Sequence, residues 1–449
     1  MLKYYLDKTG KVIKSILFPS SEFVDTEPRE GSMNPLASGA VANVMPQDAT
    51  KDNPLMTAED TERMINAMKP IDALTLRFEF SKKDYSPVVA GVGSTGTWTK
   101  VDSPTLNIWD WTNEATDWSN SFQGAFPDTD NEVRVIAAGD TSSVTNANKM
   151  FAGIYSSTPV SSAYSVTSRN NIVKCVAFDV SNISNMNAMF TASNLKNIVY
   201  FDFSNNNSNC ECDYIFADTL IKEVGDIYFK VEFLTGVFAR CSILKKVGVL
   251  TIDKDVHSPT SNTAFFLNCG NLEEIGGLVG TSTIKKFTSL FMRCTNLKKI
   301  GGALDFSSAT DIGSCFGGCI SLEKLPEFIG LGESNITNVS SVFSGCRKIP
   351  EVPLFDTSHA TNANSMLSGC YEITKIPDYD FSSVTNVNFF AKNNYKVKEG
   401  ILETYNKFLD RGESITSHIE TFMDCGRDTP EGQIALSQIP ASWGGLAEG

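Results

Sequence analysis

The chain has 449 residues, 41% hydrophobic and 20% charged, which suits several ordinary domains or one extended array and excludes a disordered polymer. A formal charge of −14 argues against a nucleic-acid partner, whose phosphates demand clustered Lys and Arg, and fits a surface that repels its own copies. No apolar run approaches the roughly 20 residues that span a bilayer, so no membrane insertion is expected.

In chain order, residues 1–18 read as two strands around "LDKTGKV", where Asp7 and Gly10 suit a tight hairpin. The opening "MLKYYLDKTGKVIKS" lacks the apolar core of a signal peptide. The expectation is a chain kept in the cytoplasm, or released without such a signal, for example inside a virus particle freed by lysis. "NPLASGAVANVM" has Ala and Val at helical spacing after Pro35, and residues 46–56 read as a linker. Thr57 followed by Asp60 marks a helix start, with Met64, Ile65 and Met68 as a short apolar stripe. Such a stripe wants a partner, and a second copy of the chain is a candidate.

Residues 71–120 read as a β-rich cap. "ALTLRFEF" at 73–80 alternates as a strand, and "TWTKV" and "LNIWDWT" join it. Trp109, Trp111 and Trp118 fall in one short window; cap core is the expectation, with one of the first two free to face outward. "GVGSTGTW" at 91–98 lacks the Lys-Ser/Thr ending of a phosphate loop and reads as a hairpin loop.

Residues 121–400 repeat. "GVFARCSILKKVG" from Gly236, "FFLNCGNLEEIGG" from Phe265, "LFMRCTNLKKIGG" from Leu290, "SCFGGCISLEKLP" from Ser314, "SVFSGCRKIPEVP" from Ser341 and "SMLSGCYEITKIP" from Ser365 align without gaps. Their cysteines, Cys241, Cys269, Cys294, Cys319, Cys346 and Cys370, recur every 24 to 28 residues. Weaker copies centre on Phe122, Phe151, Phe190 and Phe216, with Ser193 and Thr219 in the cysteine slot of the last two, and Phe390 reads as the final unit. No unit holds enough apolar residues for its own core, so the units must stack as a solenoid. "LKKIGG" reads as the strand side, and "SLFMRC" as a short helical or irregular side. About ten layers some 4.8 Å apart would reach roughly 50 Å. The cysteine slot accepts Ser and Thr, which speaks for size rather than reactivity; an odd total of eleven cysteines argues against a disulfide framework. Cys210 and Cys212 have no third ligand nearby and read as loop thiols.

In residues 401–449, "EGILETYNKFLD" reads as an amphipathic helix with Leu402, Tyr405 and Leu409 inward, followed by Ile419 and Phe422, and "TPEGQIALSQIPASWGG" as strand and turn. Trp443 is expected to pack on the last layer. His257, His359 and His418 lie far apart, with no zinc, Walker or nucleophile-elbow motif around them. The expectation is a non-enzyme without cofactor or metal.

The phrase of Phe291, Cys294, Leu297 and Ile300, with its Thr337-Asn338 and Thr385-Asn386 lead-ins, resembles the BspA-like leucine-rich repeats of gut bacterial surface proteins and their phages. The resemblance covers about residues 105–400 and implies an α/β repeat solenoid, a right-handed leucine-rich-repeat array. "EPREGSMNPLASGAVANV" at 27–44 resembles a phrase of gut-phage head and tail fibres, through Gly31, Ser32, Asn34, Pro35, Ser38, Gly39 and Val41. Together they imply a virion fibre of a phage infecting gut Bacteroidales, of crAss-like type. Residues 1–70 would anchor it to capsid or other virion proteins and form a homotrimer or dimer, through Asn34, Pro35, Ser38, Gly39, Met64, Ile65 and Met68. The repeats would meet a host or mucosal glycan or protein. A bacterial surface adhesin and a ligand-free capsid decoration protein are the alternatives.

Overall fold

A computed structural model describes residues 2–6, 12–17, 57–206, 210–253, 255, 263–332 and 335–447. Strands β1 (Leu2–Leu6) and β2 (Val12–Leu17) pair antiparallel, with Leu2 opposite Leu17. Helix α1 (Ala58–Met68) begins at a reciprocal cap: the Asp60 N–H donates to Thr57 Oγ1 at 3.0 Å, and the Thr57 N–H to the Asp60 carboxylate at 3.3 Å.

The cap is a five-stranded sheet in the order β4 (Thr97–Val101), β5 (Asn107–Thr112), β3 (Thr75–Phe80), β6 (Val133–Ala138), β9 (Ile172–Cys175). All six residues of β3 are buried, but its two faces differ. Leu76, Phe78 and Phe80 face the apolar core with Trp111, Trp118 and Phe122. Arg77 and Glu79 point the other way. Arg77 forks onto Asp110 with two 2.7 Å bonds and donates to the Asn66 carbonyl at 2.6 Å, tying the end of α1 to the sheet. Between β6 and β9, β7 (Ile154–Tyr155) and β8 (Val166–Ser168) form a separate antiparallel pair. Pairing in the five-stranded sheet is antiparallel until β9 joins β6 in parallel, and parallel pairing continues down the array.

Beyond the cap the chain is a β-solenoid. On the strand side, β10 (Glu223–Val224), β12 (Lys246–Ile252), β13 (Glu274–Val279) and β14 (Lys299–Ile300) stack as parallel strands over four successive turns, and β11 (Ile227–Phe229) also pairs with β12. Further along, β15 (Ala303–Asp305) and β16 (Glu327–Ile329) pair alone, and near Lys375 and Glu399 only an isolated bridge persists. Proline explains the thinning: Pro326, Pro350, Pro353 and Pro377 bring no N–H to a ladder.

The opposite side was expected to be short helix or irregular. It is a regular run of turns, and among the described residues helices fall only before the cap and after residue 400. The α/β description therefore gives way to a β-solenoid. Backbone accounting explains the turns. The N–H groups of Ser289, Phe291 and Arg293 donate to the carbonyls of Gly313, Cys315 and Gly317 in the next layer, at 2.9, 2.8 and 2.7 Å. The alternate N–H groups of Leu290, Met292 and Cys294 close back on Phe287, Ser289 and Phe291 at 3.3, 3.2 and 3.0 Å. This alternation requires two left-handed residues four apart, such as Ser289 and Arg293 or Ser314 and Gly318. The glycine of "FGGC", "FSGC" and "LSGC" occupies the second of them at φ of 76°, 73° and 73°.

The layers do not end at Phe390. The N–H groups of Phe389, Ala391 and Asn393 donate to Ile419, Thr421 and Met423, which adds a layer holding Phe422 and Cys425. Helix α2 (Ile401–Asp410) is inserted just before that layer. Its buried stripe is Ile401, Thr404, Tyr405 and Phe408; Leu409, one position past that face, is 47% exposed, and Ile419, in the layer that follows, is 56% exposed. "PEGQIAL" is not a strand but helix α3 (Pro430–Leu436), because Thr429 caps it, accepting from the Gly432 N–H at 3.1 Å, and Pro430 fills the first position.

Candidate functional site

The residues singled out for chemistry divide into those buried by the stack and those on its surface. Phe122, Phe151, Phe190, Phe216, Phe238, Phe266, Phe291, Phe316 and Phe343 form one continuous ring stack, centroids 5.4–5.9 Å apart and planes within 0–22°. Leu367 and Ala391 take the slot in the next layers, and Phe422 takes it in the last.

The cysteines stand beside this stack. Cys241, Cys269, Cys294, Cys319, Cys346 and Cys370 are all fully buried. Each thiol donates to the carbonyl of the preceding layer's phenylalanine: Phe216, Phe238, Phe266, Phe291, Phe316 and Phe343, at 3.0–3.2 Å. Except at Phe216, whose own layer carries Thr219, the same carbonyl already accepts the N–H of the cysteine in its own layer, as Phe266 does from Cys269 at 3.0 Å. The thiol thus engages the carbonyl's second lone pair. Size alone, the property legible in the sequence, is only half of the slot's requirement. Thr219 uses its hydroxyl in a related way, donating to Phe216 at 2.9 Å.

Burial sets the acid–base character of these thiols. It pushes Cys241 up to about 11 and Cys346 up to about 12, and raises Cys269, Cys294, Cys319 and Cys370 as well. A thiol held protonated is a poor nucleophile and a poor metal ligand. Cys210 and Cys212 are not surface loop thiols. Both point into the core with Sγ atoms 3.6 Å apart, while Glu211 between them bridges to Asn185 in the neighbouring layer. Cys315 also joins the core, in the slot that holds Leu290 one layer earlier. Among the described residues no three His, Cys, Asp or Glu side chains gather in a metal-binding group.

The Thr-Asn lead-in is structural too. Thr337, Thr361 and Thr385 each donate both N–H and hydroxyl to the threonine carbonyl one layer back, the hydroxyls at 3.1–3.2 Å. Asn338, Asn362 and Asn386 accept, through Oδ1, the N–H two residues on, at 3.1 Å in each case.

At the ends, Trp111 and Trp118 are buried edge to face, and Trp109 is half-buried under the Lys100 ammonium, 5.0 Å from the ring centre. Trp443 packs on the last layer, its ring flat against His418 at 4.1 Å and beside Tyr405 and Phe408. His359 is exposed, and His257 lies outside the described residues. Of the residues expected to anchor or oligomerise the chain, Asn34, Pro35, Ser38 and Gly39 also lie outside them. Met64 is buried within this same chain, Ile65 is half-buried and Met68 is 52% exposed.

What the stack leaves outward is the strand side. Lys298 pairs with Glu273 at 3.2 Å, Lys299 with Glu274 at 2.5 Å, Lys348 with Glu323 at 2.9 Å and Lys396 with Glu372 at 2.6 Å, each across neighbouring layers. A hollow of about 600 Å³ opens beside this face between Leu325, Phe328, Pro350 and Leu354.

Stacked turns around one ring column, closed by parallel bridges, define a repeat protein of the β-solenoid class. The chain belongs to the family described as "Mycoplasma protein of unknown function, DUF285", which it matches over residues 96–220, 260–376 and 285–405, more than half its length. No curated protein and no solved structure matches it.

Proposed function

We propose that the chain is a structural display protein: a stiff solenoid that holds a variable outer face away from the body to which its N-terminal region is fixed. The observation carrying this reading is the division of labour within each layer. The interior column repeats Phe and a hydrogen-bonding small residue through layer after layer, while the outward strand positions change charge and size freely.

The body we favour is a virus particle, with the chain as a fibre assembled in the host cytoplasm, trimeric or dimeric through residues 1–70, and touching host or mucosal surface molecules through its repeats. Support comes from the fibre-like phrase at 27–44 beside an adhesin-like repeat. Many weak contacts presented together would add through effective concentration. A cellular adhesin is the second reading, favoured by the family's description as a Mycoplasma protein. Mass spectrometry and antibody-gold microscopy of purified particles decide between them. A fibre is found in stoichiometric copies on the particle; a chain recovered only from cell envelopes overturns the virion reading and leaves display intact.

A further inference from the structure

Beyond the paired charges of the later layers, the strand side nearest the cap does not alternate in sign. Arg134 and Lys174 are register partners on β6 and β9. The Lys196 N–H donates to the Val173 carbonyl, that of Leu220 to Leu195, and that of Lys245 to Lys222, at 3.1, 3.0 and 2.7 Å. Arg134, Lys174, Lys196, Lys222 and Lys245 therefore follow one another from layer to layer, in a chain whose net charge is −14. Most of this row borders a cleft of about 740 Å³ that also takes in Arg63, Asn197 and Tyr200.

Glu79 and Glu132, the carboxylates beside Arg63, Arg134 and Lys196, are already engaged. Glu79 accepts from Arg63 at 2.9 Å and Arg134 at 3.4 Å; Glu132 accepts from Arg134 at 2.6 Å and from Lys196. Among the described residues, the ammonium groups of Lys174, Lys222 and Lys245 have neither a hydrogen bond nor an ion pair. Lys174 is half-buried, and burial, then Arg134 and Arg63, push its pKa down. Like charges in adjacent layers repel, so the row works against the stability of the free protein. The missing component is an anion.

We propose that this row is the binding site of a carboxylated glycan, a chain of uronic or sialic acids lying across the layers. Tyr200, 47% exposed with its hydroxyl held by the Gly225 N–H at 3.0 Å, offers a ring for sugar stacking. Glu132 and Glu223, also in the cleft wall, accept hydroxyl protons. A DNA strand brings no row of free hydroxyls for those carboxylates to accept from. This names the ligand class of the display reading and rests on that reading only for its biological setting.

The test uses the full chain and a K174Q/K222Q/K245Q variant, titrated with hyaluronan octasaccharide and octasialic acid, with neutral chitooctaose and a single-stranded DNA oligonucleotide as controls. The expected result is salt-sensitive binding of at least one acidic oligosaccharide, weakened about tenfold or more in the variant, whose midpoint of thermal unfolding is unchanged or raised. Binding of neither acid, equal binding of chitooctaose or DNA, unaltered affinity in the variant, or a lowered midpoint each overturns it. Adhesion to host cells is scored separately. Cells that hold the variant as well as the parent refute this site and spare the display reading; acid binding without cell adhesion does the reverse.

Discussion

The two sides of each layer obey different rules. On the turn side, Phe266, Phe291 and Phe316 stack with little variation, and Cys294 and Cys319 repeat one hydrogen bond. On the strand side, neighbouring layers run from seven-residue β12 to two-residue β14, and then to proline-bearing segments with isolated bridges. The turn side must satisfy every backbone group with left-handed residues and a single ring column, so few substitutions survive there. The strand side can lose its ladder and remain folded, which makes it the face free to carry recognition.

Substitutions should expose that asymmetry. Phe291→Ala interrupts the ring column between two layers and should cost about 3–5 kcal/mol in urea unfolding. Val279→Ala, on the strand side and 51% exposed, should stay within about 0.5 kcal/mol. Equal losses at the two positions would contradict the division.

Alkaline pH sharpens the same contrast through the buried thiols. Their folded pKa values are raised above the ordinary 9.0, Cys241 to about 11 and Cys346 to about 12. Above 9.0 the unfolded chain has therefore lost protons that the folded chain keeps, so stability falls as pH rises. It is fully present below 9.0 and declines up to the folded values. Each such thiol removes about 1.4 kcal/mol per pH unit in that window. Urea midpoints measured from pH 8 to 11 should drop steeply above 9, and a flat profile would mean exposed thiols.

A smaller effect isolates the hydrogen bond. Cys294→Ala leaves the Phe266 carbonyl with one donor instead of two and should cost about 1–2 kcal/mol, cavity included. Smallest of all, Lys298→Ala breaks an exposed pair with Glu273 and should leave the unfolding midpoint unchanged within error.

Much of this was legible before any coordinates. The repeated phrase, an apolar residue three before and another three after each cysteine, placed the stack, because a column of identical slots forces identical side chains. The final layer at Phe422 and Cys425 stayed hidden, although "FMDC" carries the phrase: α2 stretches the period there, and Asn394 replaces cysteine in the layer before. The regularity of the turn side, read from the sequence as short helical or irregular, was not legible because alternating left-handed residues leave a weak mark, a glycine in some layers but Arg240 or Arg293 in others. The thiol's carbonyl partner was invisible, since it lies 25 to 31 residues away across a layer boundary. The cationic row escaped notice because its members belong to different units and the overall charge is negative.

Pulsed alkylation of the native chain, read residue by residue by mass spectrometry across a urea series, probes the stacked column directly. The account predicts that Cys241, Cys269, Cys294, Cys319, Cys346 and Cys370 stay unmodified until the cooperative transition and then react together. Labelling of any of these six under native conditions, or protection lost on adding a metal chelator, would contradict a column of buried thiols held by the neighbouring layer.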